Sequence, residues 1–407
     1  MVRRWTPGRI HKRKSSTTDP LLAIEGFAAD GFSAVRDAFE AAIATDTETG
    51  AALSIWRHGE LVVDLAGGIA NARSGQAFGL GTPSVIFSST KGLASILVAR
   101  LVQDGLLDYD APVADYWPEY GAAGKSNTSV GDALSHRAGL SAPRHDWTPD
   151  DLIDWNRATT LLADQEPLFD PGTAWAYHAI THGWLTGELV RRVTGLLPGE
   201  YFERLISSPL AVDAWIGLPA ERRGQVANMV VGDTLATHVA AQQSDVRADA
   251  SVWPVRALTL GGALPLALVG PNEGFNRSDV QAAQIPGAGG ISSAHALAKI
   301  WSAVVTETDG VRLLSDETIN RASRVQSEGA PFFDSPAPWP RWGMGFQLDS
   351  EARRYLGESS LGHDGAGGQV AFADLDERIG FAFVTNRMEA VDARGTDIVS
   401  ALKKAIS

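Results

Sequence analysis

The order of apolar and polar positions predicts strands near both ends of the chain and helices between them. Across residues 31–44 the apolar side chains Phe32, Val35, Phe39 and Ile43 recur every three to four positions, the period of an amphipathic helix. Two β-rich runs follow, residues 52–56 and 61–65, and the polar turn Arg57-His58-Gly59 between them predicts a β-hairpin. Residues 88–104 carry Leu93, Ile96, Leu97 and Leu101 on one face and stop at Gly105, a natural C-terminal cap, so a second, mostly buried helix is expected. From about 113 to 284 the pattern gives short helices separated by Pro and Gly, among them 130–134, 150–158 and the longer 182–194. Strand signals return at 342–348, 368–373 and 379–385, with helices over 293–304 and from about 393 to 406.

Strands at both ends with helices between them predict an α+β fold. In it, a discontinuous α/β domain, residues 21–112 and 285–407, is interrupted by a mostly helical domain, residues 113–284, and preceded by a polar basic tail, residues 1–20.

Composition removes several kinds of chemistry. The 407-residue chain has no cysteine, which excludes disulfides, thiolate metal sites and a cysteine nucleophile. Its net charge is −13 although Arg3, Arg4, Arg9, Lys12, Arg13 and Lys14 crowd the start, so the body is more acidic still and poorly suited to a phosphate backbone. The basic start is followed by Ser15-Ser16-Thr17-Thr18-Asp19-Pro20 rather than the apolar stretch that a secretory or twin-arginine signal needs. The longest apolar run elsewhere, residues 257–269, carries Pro265 and falls short of the roughly 20 residues of a membrane span. These features predict a cytoplasmic protein with neither membrane nor nucleic acid as partner; they leave its oligomeric state open.

The sharpest chemical feature is Ser88-Ser89-Thr90-Lys91, whose ends lie three residues apart on one face of a predicted helix. A serine hydroxyl is a weak nucleophile, so a group within hydrogen-bond reach must take its proton. A lysine amine does so only when neutral, which requires its pKa, ordinarily near 10.4, to fall by on the order of three units through desolvation or neighbouring positive charge. A second Ser-x-x-Lys, Ser400-Ala401-Leu402-Lys403, lies in the amphipathic terminal helix. Ser88 instead opens a buried helix, whose N-terminus favours negative charge beside the serine. Ser88 and Lys91 are therefore the candidate nucleophile and base.

The stretch SSTKGLASILVARLVQDGLLDYDAPVADYWP, residues 88–118, resembles the active-site helix and following segment of the serine β-lactamase and penicillin-binding-protein superfamily, where Ser-x-x-Lys is the nucleophile motif. Within it the resemblance is to the class C-like esterases called family VIII carboxylesterases, and it extends over most of the chain from about residue 25. It implies a β-lactamase-like fold, an antiparallel sheet flanked by helices with an inserted helical domain. It also implies a third catalytic residue, a tyrosine in a Tyr-x-Asn motif or a variant of it. Phe169-Asp170-Pro171-Gly172-Thr173-Ala174-Trp175-Ala176-Tyr177 resembles the approach to that tyrosine, which makes Tyr177 the candidate. A phenol beside an ammonium can hold a lowered pKa and shuttle a proton. Position 179 is Ala, where β-lactamases have the asparagine that helps hold the substrate amide.

No Lys-Thr-Gly is present. Leu361-Gly362-His363-Asp364-Gly365-Ala366-Gly367-Gly368 resembles the His-x-Gly version of esterase-like members, with His363, Asp364 and Gly365 as the substrate-binding positions. His363 would either stabilise bound substrate or hydrogen-bond within the wall. The resemblance places the oxyanion hole at the backbone N–H groups of Ser88 and Ala366. The implied activity is that of a serine carboxylesterase acting on short-chain or otherwise apolar esters through an acyl-enzyme on Ser88, with no cofactor and no metal. Twelve tryptophans suit an apolar acyl pocket. The alternatives on the same fold are a β-lactamase, a D-amino-acid peptidase or amide hydrolase, and an acyltransferase. Ala179 and His363 argue against the first, since the lysine lost at 363 is the group suited to a β-lactam carboxylate. A non-catalytic binding protein on this fold is expected to lack the nucleophile or its base.

Other motifs give weaker signals. No Gly-x-Ser-x-Gly is present. Gly124-Lys125-Ser126 mimics the end of a phosphate loop, but position 119 is Glu, so a polar turn is expected. His178 and His182 are four apart without a third ligand at metal-site spacing. Gly287-Ala288-Gly289-Gly290 reads as a tight turn into the next helix, near the rim of the site.

Overall fold

A computed structural model describes residues 24–44, 47–244 and 252–407; the predicted tail lies outside the described residues. The hairpin expected from the first strand signals is formed by β2 (Gly50–Arg57) and β3 (Glu60–Asn71). His58 and Gly59 at its tip have φ of 53° and 80°, the two positive values that let a two-residue turn follow the strand twist. Around it grows an antiparallel sheet. β1 (Glu25–Ala28) flanks β3, whose far end also pairs with β4 (Gln76–Ala77). On the other side of β2 lie β9 (Ile379–Thr385), β8 (Val370–Asp374), β7 (Ser360–Gly362), β6 (Gln347–Leu348) and β5 (Arg341–Trp342), in that order. Strands from the two ends of the chain meet at the β2 and β9 pair, where Ala51 faces Thr385 and Arg57 faces Ile379.

The side-chain period of two gives the sheet two different faces. Leu53, Ile55, Val63, Leu65, Phe372, Phe381 and Phe383 form one, covered by α1 (Ser33–Ile43) and α6 (Arg394–Ile406). The opposite face carries small residues, Ala52, Ala66, Ala371 and Ala382, and α5 (Ala294–Val305) lies against it. The approach is close enough that a Cβ on Gly380 would fall on the backbone of Ser302. Further from the sheet is α2 (Ser89–Gln103), in which 12 of 15 residues are buried; it packs on α4 (His182–Thr194). A helix buried on nearly every side needs no amphipathic stripe, and α2 ends as expected, with Gly105 at φ 71°.

Two sequence expectations are corrected. The helix expected over 150–158 is two helices, Pro149–Ile153 and Trp155–Asp164. Asp154 breaks them: its backbone is extended, and its side chain accepts the Arg157 N–H at 2.9 Å, an N-cap that starts a new helix. The strand expected over 342–348 is the β5–β6 hairpin, because Gly343 and Gly345, the latter at φ 81°, turn the chain back. Short strands in the middle segment join it to the rest: Ala214–Ile216 pairs with Gly290–Ser292, and Val230–Val231 runs parallel to Arg387–Met388. Among the described residues, no helix is long and apolar enough to cross a membrane.

Candidate active site

The site is built at the start of α2. Ser84–Val85 pairs with Gly290–Ser292, and the Ile86 N–H continues that contact to the Gly290 carbonyl at 2.9 Å. Phe87 then takes a left-handed conformation, φ 44°, unusual for a bulky residue, and turns the chain so that Ser88 stands at the head of the helix. Thr90 fixes the turn: its Oγ1 donates to the Phe87 carbonyl at 2.5 Å and accepts the Gly290 N–H at 2.8 Å.

One helical turn on, Lys91 is fully buried, and its Nζ lies 3.0 Å from Ser88 Oγ. The same nitrogen donates to the carbonyls of Ala179 at 2.5 Å and Gly287 at 2.6 Å. Among the described residues no carboxylate pairs with it, and burial holds its pKa well below the ordinary lysine value. A neutral amine has two N–H bonds and one lone pair. With both N–H groups taken by carbonyls, the lone pair is left for the Ser88 hydroxyl, the arrangement a general base requires.

Tyr177 closes the site. Its hydroxyl interacts with the Ser88 side chain, and Lys91 Nζ sits 5.0 Å from its ring centroid. The ring stacks on Trp342, centroids 5.3 Å apart. The expectation of a lowered phenol pKa is reversed: burial raises it, opposed by the bond to Ser88. The raised pKa keeps the Tyr177 phenol in its protonated form.

His363 is buried. Its Nδ1 is bonded to the Asp364 carbonyl at 2.7 Å, which fixes the proton on Nδ1, while Nε2 has no partner among the described residues. Burial lowers its pKa to about 3, so the ring is neutral. Asp364 also borders the cavity described below; its carboxylate meets Arg353 at 2.6 Å and Tyr355 at 3.1 Å, which anchors the wall. Gly365 has a spatial reason to be glycine, since a Cβ there would fall on the Ile86 carbonyl. This close approach brings the 363–368 segment against the segment leading to Ser88. The N–H groups of Ser88 and Ala366 donate no hydrogen bond among the described residues.

Sequence reasoning missed the carbonyls of Ala179 and Gly287, which carry no side-chain signature; only the glycine run at 287–290 marked the second. It also missed His136, buried at φ 67° with its ring 4.9 Å from that of Tyr177. His136 Nδ1 accepts the His178 N–H at 3.2 Å. His178 spends both ring nitrogens, Nδ1–H on the Ala176 carbonyl at 2.6 Å and Nε2 on the Leu140 N–H at 3.0 Å. The second Ser-x-x-Lys faces solvent, and Ser400 Oγ donates to its own helix at Thr396. Lys125 is buried in its turn, its Nζ donating to the carbonyls of Ala122, Ala163 and Gln165.

A cavity of about 540 Å³ opens beside Tyr177 and His363. Trp175, Trp253, Phe333, Trp339 and Trp342 line it, with prolines from the 331–340 segment.

A family described as Beta-lactamase matches residues 35–405. Esterase/beta-lactamase LipL of Mycobacterium tuberculosis is 32% identical over 390 residues, 94% of this chain and 87% of that protein. A crystal structure of a family VIII carboxylesterase shares 33% identity at a TM-score of 0.82, covering 94% of this chain and 100% of the other. EstA from Arthrobacter nitroguajacolicus Rue61a gives 31% and 0.80, covering 93% and 97%. With the Ser88–Lys91 pair at the head of a buried helix and these similarities along nearly its whole length, the chain belongs to the beta-lactamase family and stands among its family VIII carboxylesterases.

Proposed function

We propose that this protein is a serine carboxylesterase that hydrolyses short-chain or otherwise apolar esters through an acyl-enzyme on Ser88. The observation that carries the reading is the Lys91 amine, buried and held by two carbonyls with its lone pair toward Ser88 Oγ at 3.0 Å. Lys91 takes the Ser88 proton as Oγ attacks the ester carbonyl, and the oxyanion forms between the N–H groups of Ser88 and Ala366. Tyr177 gives its proton to the departing alkoxide and regains one from Lys91. Water then attacks the acyl-enzyme by the reverse proton path, releasing the acid and restoring Ser88. His363 and Gly365 shape the wall beside this path, and Asp364 holds that wall in place.

The cavity supports an apolar ester over a β-lactam. Among the described residues, the charged side chains lining it are Asp334 and Asp364, with no lysine or arginine to meet a substrate carboxylate. A cytoplasmic location is part of the same proposal.

The test compares hydrolysis of p-nitrophenyl butyrate with that of a chromogenic cephalosporin. Ester turnover is expected to exceed cephalosporin turnover, to fall by at least about a thousandfold in Ser88→Ala, and to persist in Ser400→Ala. Faster cephalosporin turnover would overturn the esterase reading in favour of β-lactam chemistry.

A further inference from the structure

Gln347 is the first residue of β6 and lies between Trp342 of β5 and Gly362 of β7, which places it on the cavity wall next to His363. Its Oε1 accepts the Asp364 backbone N–H at 3.1 Å and lies 3.3 Å from the Tyr355 hydroxyl. A backbone N–H is an obligatory donor, so the carboxamide oxygen must face it and the NH2 must face away. Among the described residues that NH2 has no hydrogen-bond partner. The wall that aims it is rigid, because Asp364 is held in turn by Arg353 and Tyr355.

The rest of the described cavity lining is mostly tryptophan, phenylalanine, proline and aliphatic side chains, with Ser141, Tyr177, Asp334, Ser335, His363 and Asp364 as its polar members and no lysine or arginine among the described residues. The unspent NH2 of Gln347 in such a wall suits an occupant that brings an acceptor and no charge.

We infer that Gln347 is a specificity-determining residue whose NH2 group selects neutral apolar esters carrying a second acceptor oxygen, such as a ketone or ether, in the group that fills the cavity. This rests on the esterase reading above. An added carboxylate would meet Asp334 and no lysine or arginine among the described lining residues, whereas a ketone or ether oxygen accepts the donated bond without bringing charge.

The experiment measures kcat/KM for p-nitrophenyl hexanoate and p-nitrophenyl 5-oxohexanoate, acyl groups of equal length that differ by one ketone. Wild type is expected to favour the oxo ester by roughly three- to tenfold, the worth of one neutral hydrogen bond. In Gln347→Met the ratio should fall to about one. Gln347→Glu, which keeps the oxygen that accepts the Asp364 N–H and removes the donor, should abolish the preference as well. A merely structural role for Gln347 would lower both rates and leave the ratio alone. A wild-type ratio near one, or a preference retained in both variants, would overturn the inference while the esterase reading stands. Failure of wild type to hydrolyse plain hexanoate and other p-nitrophenyl esters would overturn that reading, and this inference with it.

Discussion

Lys91 is held in a state that suits catalysis and opposes folding. In the proposed reaction its amine must be neutral to take the Ser88 proton, and burial favours that state by lowering its pKa from the usual lysine value. Ester kcat/KM should therefore rise with pH through the lowered Lys91 pKa and level off above it. Neither His363, lowered to about 3, nor His178, lowered to about 4, supplies a step near the ordinary histidine pKa. Lys91→Arg, charged at every accessible pH, should lose at least about a hundredfold in rate and show no alkaline recovery. Stability follows the same proton. Between the folded and the ordinary lysine pKa the unfolded chain holds a proton on Lys91 that the folded chain has lost, so raising the pH through that window favours folding. The Tm of wild type relative to Lys91→Met should accordingly shift in favour of wild type as the pH rises; a difference that is flat with pH would mean that Lys91 is charged in the fold. Ser88 and Lys91 were legible because helix periodicity alone places i and i+3 together. The carbonyls that tune Lys91 come from 88 and 196 residues further along the chain, and the Arg353 that claims Asp364 is equally invisible to local pattern.

At the scale of elements, the lysine depends on how closely α4 meets the 285–290 turn. Gly183, in the first turn of α4, lies so near Gly287 that a Cβ on it would fall on the Gly287 nitrogen. Gly287 is likewise bare against the Ile180 carbonyl. Gly183→Ala must push the helix and the turn apart, which moves the Gly287 carbonyl away from Lys91. Overpacking of this kind costs typically 1–3 kcal/mol. Thermal unfolding should show that loss, and ester turnover at a temperature where the variant is folded should fall as well. Unchanged turnover in a destabilised variant would show that the Gly287 carbonyl does not set the lysine. The helix at 182–194 is visible in the sequence from its apolar spacing, and its bounds match the structure, but nothing in that spacing says which neighbour the glycine admits. The same limit explains the 342–348 segment. Its composition is strand-like throughout, and only the pairing of Trp342 with Gln347 reveals a hairpin that turns at its glycines.

The whole molecule places this site where separate parts of the chain share one interior. The larger apolar core runs from Ala52 on the sheet, through α2 and the middle helices, to Met388 beyond the last long strand. Ser88 and Lys91 come from the helix at its centre, Tyr177 and the Ala179 carbonyl from the middle segment, and the Gly287 carbonyl and His363 from the C-terminal third. Opening the middle segment alone would expose the α2 face that packs on α4 and uncover the buried Lys91. A fold whose core is continuous across such a junction unfolds as one unit rather than in two steps. Tryptophans report on both sides of it: Trp56 and Trp301 are buried near the sheet, and Trp117, Trp147 and Trp184 are buried among the middle helices. In urea, the loss of ester hydrolysis, of tryptophan fluorescence and of helical circular dichroism should therefore share one midpoint. If activity and part of the fluorescence change precede the rest, the middle segment opens independently. The site would then be a hinge between two stability units, and Lys91 would be charged whenever that hinge is open.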